Sequence, residues 1–208
     1  MSQRKISLGK MKAYRPYVIW YLIDRFKEEI SSNPRLLSEI LYLTNLTMHK
    51  HDLTLGYRFF QRQIYVGVTD EDIPYDITFL QYLGLIKWEE KRKKVLIEID
   101  EEKREKVRGI LEEVYGKETI NEINTLYKKL KKVEVEDIPF CSLIAFIINP
   151  NPFLNESPEN LLKVFRSSIK IKEEYLSRIL YTLRDMPFEE NMKNRIESLI
   201  VNIGKNLD

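Results

Sequence analysis

The chain has 208 residues, 43% of them hydrophobic and 32% charged, with a formal net charge of +2. That supplies apolar material for one good core or two small ones, and the near balance of charge neither demands nor excludes nucleic acid. A single cysteine, Cys141, excludes an intrachain disulfide, and the longest apolar run, Cys141–Ile148, is too short to span a bilayer.

Seven Gly and eight Pro imply few loops, so helix is predicted to dominate. The start, Met-Ser-Gln-Arg-Lys, lacks the apolar run of a signal peptide, and a soluble, cytoplasmic protein is expected. High Lys, Glu and Ile content suits a thermophile.

Residues Met1–Lys12 read as a loose basic arm. Val18, Tyr21, Leu22, Phe26 and Ile30 recur at helical steps and predict a helix over Tyr14–Ile30. Ser31-Ser32-Asn33-Pro34 ends it and opens a second helix, with Asn33 as N-cap and Pro34 at the first position. That helix runs to about Met48 and is expected to bury Leu37, Ile40, Leu41 and Thr44. Leu55–Val66 fits two periods. Leu55, Phe59, Phe60, Gln63 and Ile64 are spaced for a helix, whereas Tyr57, Phe59, Gln61, Gln63 and Tyr65 share one face of a strand.

A further helix starts at Asp72 or Ile73, with Pro74 in its first turn, where a missing N–H is harmless. It is expected to bury Ile73, Ile77, Leu80 and Leu83 and to close at Gly84. Lys87–Asp100 then alternates like a two-stranded hairpin. Ile86 and Trp88 share parity with Val95, Ile97 and Ile99, and the turn falls among Glu90, Lys91, Arg92 and Lys93. Asp100-Glu101-Glu102 sits at the next helix start, where acids favour the dipole.

Beyond Glu101 every segment reads as helical. Val107, Ile110, Leu111, Val114 and Tyr115 form one stripe, ended by Gly116, and Thr119 with Glu122 has capping-box spacing. Ile120, Ile123, Leu126, Tyr127 and Leu130 form the next stripe. Phe140–Ile148, apolar nearly all round, is expected at the centre of a helical core or at an interface. Asn149-Pro150-Asn151-Pro152 breaks the chain, Ser157-Pro158-Glu159 opens another helix, and Lys172–Arg184 and Glu189–Ile203 complete the set.

The run from Gly67-Val68-Thr69 through Ile73, Ile77, Leu80 and Leu83-Gly84-Leu85-Ile86 into a basic-tipped hairpin resembles the core of the winged helix-turn-helix superfamily, over about residues 36–100. The resemblance requires a helix before Gly67, so Leu55–Val66 is read as that helix, with Gly67 as its left-handed end. It implies a winged helix-turn-helix over 34–100; with the segments read on either side, the expected architecture is mostly α with a small β-hairpin wing, a basic arm and N-terminal helix over 1–33 and an all-helical region over 101–208.

The resemblance also implies DNA-contacting residues. The Ile73–Leu83 helix would lie in the major groove, with Tyr75, Asp76, Thr78, Phe79, Gln81 and Tyr82 outward. Lys91, Arg92, Lys93 and Lys94 at the wing tip would reach phosphates or the minor groove, and Arg58 and Arg62 would face the DNA backbone. The predicted nucleic-acid-binding set is therefore Lys91, Arg92, Lys93, Lys94, Arg58, Arg62, Tyr75, Thr78, Phe79 and Gln81.

The chemistry of that helix departs from the DNA-reading pattern. It carries Asp70, Glu71, Asp72 and Asp76 at or near its start and no basic residue, where Arg, Lys, Asn or Gln normally meet base edges. Cations lie elsewhere. Met1–Lys27 holds Arg4, Lys5, Lys10, Lys12, Arg15, Arg25 and Lys27 against a single acid, Asp24. Lys128, Lys129, Lys131 and Lys132 cluster further on, as a solvated helix face would.

Other motifs read as structural. His49-Lys50-His51-Asp52 lacks a third ligand for a metal shell and reads as a surface loop. Cys141 reads as an inert buried thiol, Trp20 and Trp88 as core, and Asp70-Glu71-Asp72 as helix-start acids rather than a magnesium site. No catalytic constellation, phosphate loop, metal or cofactor is predicted.

The expected function is therefore a DNA-binding regulator or chromatin-type protein that contacts mainly the phosphate backbone, homodimeric through its C-terminal helices. The alternative is a winged-helix interaction subunit of a replication, transcription or segregation assembly, with a protein partner at the acidic helix. A third is a small-molecule-responsive regulator with a pocket in the helical half.

Overall fold

The computed structural model describes residues 8–61, 68–92, 94–149, 160 and 172–205. The first apolar stripe forms α1, Leu8–Ser32, which begins well before the predicted Tyr14. The reason is burial. Met11 lies in the core and its carbonyl accepts the Tyr115 hydroxyl at 2.9 Å. From Leu8 onward the basic segment is thus helix, not a loose arm. At Phe26 the backbone leaves helical geometry and α1 bends.

The second stripe forms α2, Leu36–His49, entered through a turn in which Leu36 N–H donates to Asn33 O and Leu37 N–H to Pro34 O. From Leu36 to Met48 only Ser38 escapes full burial. A helix enclosed all round cannot leave polar groups unmet. Thr44 and Thr47 accordingly bond back to the Ile40 and Leu43 carbonyls.

The predicted helix over Leu55–Val66 is absent in its described part. Residues 53–59 are neither helix nor strand, and Phe60–Gln61 form β1, antiparallel to β2, Val68–Thr69. Remote side chains satisfy backbone donors of this irregular segment. Asn45 Oδ1 accepts from Leu55 N–H at 2.8 Å, and Asp70 accepts from Arg58 N–H. The strand-parity pattern was the better guide: the Tyr57 and Phe59 rings lie 5.5 Å apart, and Phe59 meets Tyr42 at 5.1 Å. Gly67 lies outside the described residues.

Helix α3, Ile73–Tyr82, has Pro74 in its first turn and ends in a Schellman closure. Gly84 N–H donates to Gln81 O and Leu85 N–H to Leu80 O, with Gly84 at φ +66. The chain runs straight into β3, Ile86–Lys91, and β4, Lys94–Ile99. Their register pairs Ile86 with Ile99 and Trp88 with Ile97, as the parity predicted. The Trp20 indole N–H donates to Leu85 O at 3.1 Å and ties α1 to the junction between α3 and the hairpin.

Asp100 caps the next turn by accepting from Glu102 N–H. Helices α4, Arg104–Tyr115, and α5, Lys117–Leu130, follow, with Gly116 at φ +88 between them. The Thr119–Glu122 capping box does not form. Thr119 is buried inside α5, and the Glu122 carboxylate pairs with Lys50 and His51. Helix α6, Ile138–Ile148, packs against α2, and its apolar surface is largely consumed in the core. Helices α7, Glu173–Arg184, and α8, Glu190–Lys205, pack on each other and on α6. The expected helix start at Ser157 lies outside the described residues. No helix among the described residues is long and apolar enough to cross a membrane.

Candidate interaction surface

Ten residues of α3 divide sharply by direction. Ile73, Asp76, Ile77 and Leu80 point inward, and the helix packs against α1. On the opposite side Tyr75 is 74% exposed, Tyr82 87% and Phe79 42%, and Leu83, just past the helix end, is 41%. Positions 75, 79, 82 and 83 follow the three- and four-residue step of one helix face. Leu83 was expected in the core. It misses because Leu80 already fills the last inward position.

Asp76 was expected outward and is buried. Its carboxylate accepts the Tyr57 hydroxyl at 2.5 Å and lies 2.7 Å from Arg15 Nε. Arg15 reaches Asp72 at 3.0 Å with another guanidinium nitrogen and stacks over the Tyr57 ring at 4.3 Å. Burial pushes the Asp76 carboxyl above the usual aspartate range, against the pull of Tyr57 and Arg15. Arg15, counted among the free cations of the N-terminal segment, is instead the buried clamp between α1 and α3. Asp70 is buried too, accepting from Arg58 N–H and, at 2.7 Å, from Asp72 N–H. Of the four carboxylates, Glu71 is the exposed one and, among the described residues, has no hydrogen bond or ion pair of this kind.

A groove of about 980 Å³ runs beside α3, between the start of α2 and β3. Ile73 and Ile77 lie among its lining, Tyr75 stands on its rim, and Trp88, half-buried, and Glu90 close the β3 side. Gln81 Nε2 donates to Trp88 O at 3.2 Å and fixes the hairpin against the helix; Thr78 is exposed on the same flank and bonds back to Pro74 O. Lys12 and Arg58 line a separate depression, which shares only Asp70, Glu71 and Asp72 with the groove. Among the described residues, Asp70, Glu71 and Asp72 thus lie between Arg58 and the α3–β3 groove.

At the hairpin tip Lys91, Arg92 and Lys94 are exposed. Lys91 lies 3.6 Å from Glu89, and Arg92 takes a left-handed backbone at φ +59. Lys93 and Arg62 lie outside the described residues. The lysine cluster on α5 is partly spent on tertiary ties: Lys131 pairs with Glu29, and Lys129 donates to Asp185 O. His49 Nε2 sits 3.1 Å from Asn45 Nδ2, while His51 faces Glu122. Among the described residues no group of three or more His, Cys, Asp or Glu is placed to hold a metal ion. Cys141 is fully buried, and burial pushes its thiol up to about 12.

Sequence reasoning overlooked Arg15, Tyr57 and Glu90 as parts of this surface and its support. The one available signal was chemical: an acidic helix start needs a cation from somewhere. No protein-family model, curated protein or solved structure matches the chain.

Proposed function

We propose that the chain is a winged-helix-type interaction module that docks a protein partner through the outward face of α3. One observation carries this reading: Tyr75, Phe79, Tyr82 and Leu83 form a contiguous exposed apolar face on a helix whose other side is firmly anchored. Aromatic side chains bring large apolar contact area, and tyrosine and tryptophan are frequent anchors of protein interfaces. The unit of α3 and hairpin, packed on α1, supports the winged-helix part. The irregular segment at residues 53–59, where the family has a helix, departs from it.

Duplex DNA is the second reading, favoured by the exposed Lys91, Arg92 and Lys94 at the hairpin tip. The two separate by experiment. A photoreactive phenylalanine analogue at position 79 or 82, in cells that make the chain natively, is expected to give a protein adduct, and the same probe at exposed Lys106 none. Retardation of duplex DNA at low salt that is lost in the Arg92→Ala/Lys94→Ala variant, with no adduct at 79 or 82, would reverse the order of the two readings.

A further inference from the structure

The groove that borders the exposed apolar face is mainly acidic, while Lys12 and Arg58 lie in the neighbouring depression, across Asp70, Glu71 and Asp72. Among the described residues, the groove is lined by the acids Asp70, Glu71, Asp72 and Glu90, with Arg35 as the cation on its α2 side. Arg15 supplies one guanidinium to two carboxylates, Asp72 and Asp76, so it does not neutralise the rim. The Asp72 side chain keeps 51% of its surface in water, and Glu71 and Glu90 are exposed. The whole chain carries +2, so this concentration of negative charge is local. The aromatic rings add to it. Tyr75 meets both groove and apolar face, and the face of a tyrosine ring attracts ammonium and guanidinium groups.

Resting on the docking reading above, we infer that the partner segment is cationic and amphipathic. Its apolar side covers Tyr75, Phe79 and Tyr82, and its Lys or Arg side chains enter the groove toward Glu71 and Glu90. An acidic segment is repelled there, because like charges brought together at an interface are costly whereas complementary ones speed encounter and fix register. A cationic segment also meets the negative groove without disturbing the Arg15 clamp beneath it.

The test uses two fluorescent synthetic peptides of one amphipathic pattern, Leu/Lys and Leu/Glu, titrated into the full chain by anisotropy. The Leu/Lys probe is expected to bind at least about tenfold tighter than the Leu/Glu probe, with an affinity that falls as salt rises. Glu71→Lys/Glu90→Lys should abolish that preference, Glu113→Lys on the outer side of α4 should leave it, and Tyr75→Ala/Tyr82→Ala should remove binding of the Leu/Lys probe. All five positions are exposed, so a melting curve confirms that each variant is folded.

Equal binding of both probes, lost in the tyrosine variant and indifferent to Glu71 and Glu90, overturns the cationic partner while leaving the docking face standing. Leu/Lys binding that survives the tyrosine variant overturns both. Absence of binding by the Leu/Lys probe overturns the inference, and the adduct test at positions 79 and 82 then decides the docking reading separately.

Discussion

Helices α2 and α3 are equally hydrophobic on average, yet they live in opposite surroundings. α2 is enclosed on all sides by α1, α5, α6 and β2. α3 is held on one side by α1 and leaves its aromatic residues in water. Equal apolarity with unequal cover means that hydrophobicity alone does not say which residues hold the fold together. In α2 it stabilises the chain itself; in α3 half of it is left over for something else.

The sharpest way to break this contrast is truncation. Leu41→Ala, at a fully buried α2 position, is expected to cost about 4 kcal/mol in urea unfolding, transfer and cavity terms together. Tyr82→Ala on α3 is expected to shift stability by less than about 0.5 kcal/mol, as exposed substitutions do. Similar losses at both positions would remove the distinction.

The anchor of α3 comes next. Arg15→Ala leaves Asp76 buried beside Tyr57 without its cation, and a broken buried pair costs about 3 kcal/mol or more. Arg15→Met/Asp76→Leu is expected to recover much of that loss, which a double-mutant cycle of unfolding midpoints reads directly.

The third effect depends on pH and belongs to α2. Glu39 is buried against Val68 N–H and the Ser142 hydroxyl, and burial raises its carboxyl to about 7. A carboxyl whose pKa is raised on folding favours the protonated native state. Its stabilising contribution is therefore present below the ordinary glutamate range and is lost as pH rises toward 7, by up to roughly 3 kcal/mol. Wild type should lose stability over this window relative to Glu39→Gln, and the variant should be the more stable of the two above it. Parallel profiles would show that Glu39 is not the titrating group.

The smallest effect lies at the hairpin tip. Arg92 adopts a left-handed backbone that asparagine accepts more easily. Arg92→Asn should raise the melting midpoint slightly, by up to about 1 kcal/mol of stability, and leave binding through α3 unchanged. If DNA is the partner, the same change weakens retention instead.

Much of the local structure was legible before any coordinates. Period-2 alternation through Ile86–Ile99 set the hairpin register, Gly84 and Gly116 marked the left-handed helix ends, and the α5 stripe from Ile120 to Leu130 was buried as spaced. The failures lie where distant side chains outbid local pattern. Leu55–Phe59 had two compatible periods, and Asn45 and Asp70, from elsewhere in the chain, accept from its Leu55 and Arg58 N–H groups in an irregular segment. Thr119 had the right spacing for a cap, yet α5 begins two residues earlier, and Glu122 was claimed by Lys50 and His51.

The candidate surface was half legible. Its exposed aromatic and acidic residues stood in the sequence around α3, but their division into buried support and free rim did not. Outside the segment that begins at Leu55, the sequence alone determined which described segments become helix or hairpin and which side of each is apolar, because those depend on neighbours a few residues away. Only the tertiary structure decided which apolar side is covered and which carboxylate is paired. The covering helix α6 and the pairing Arg15 come from remote parts of the chain, and local spacing carries no record of where they end up.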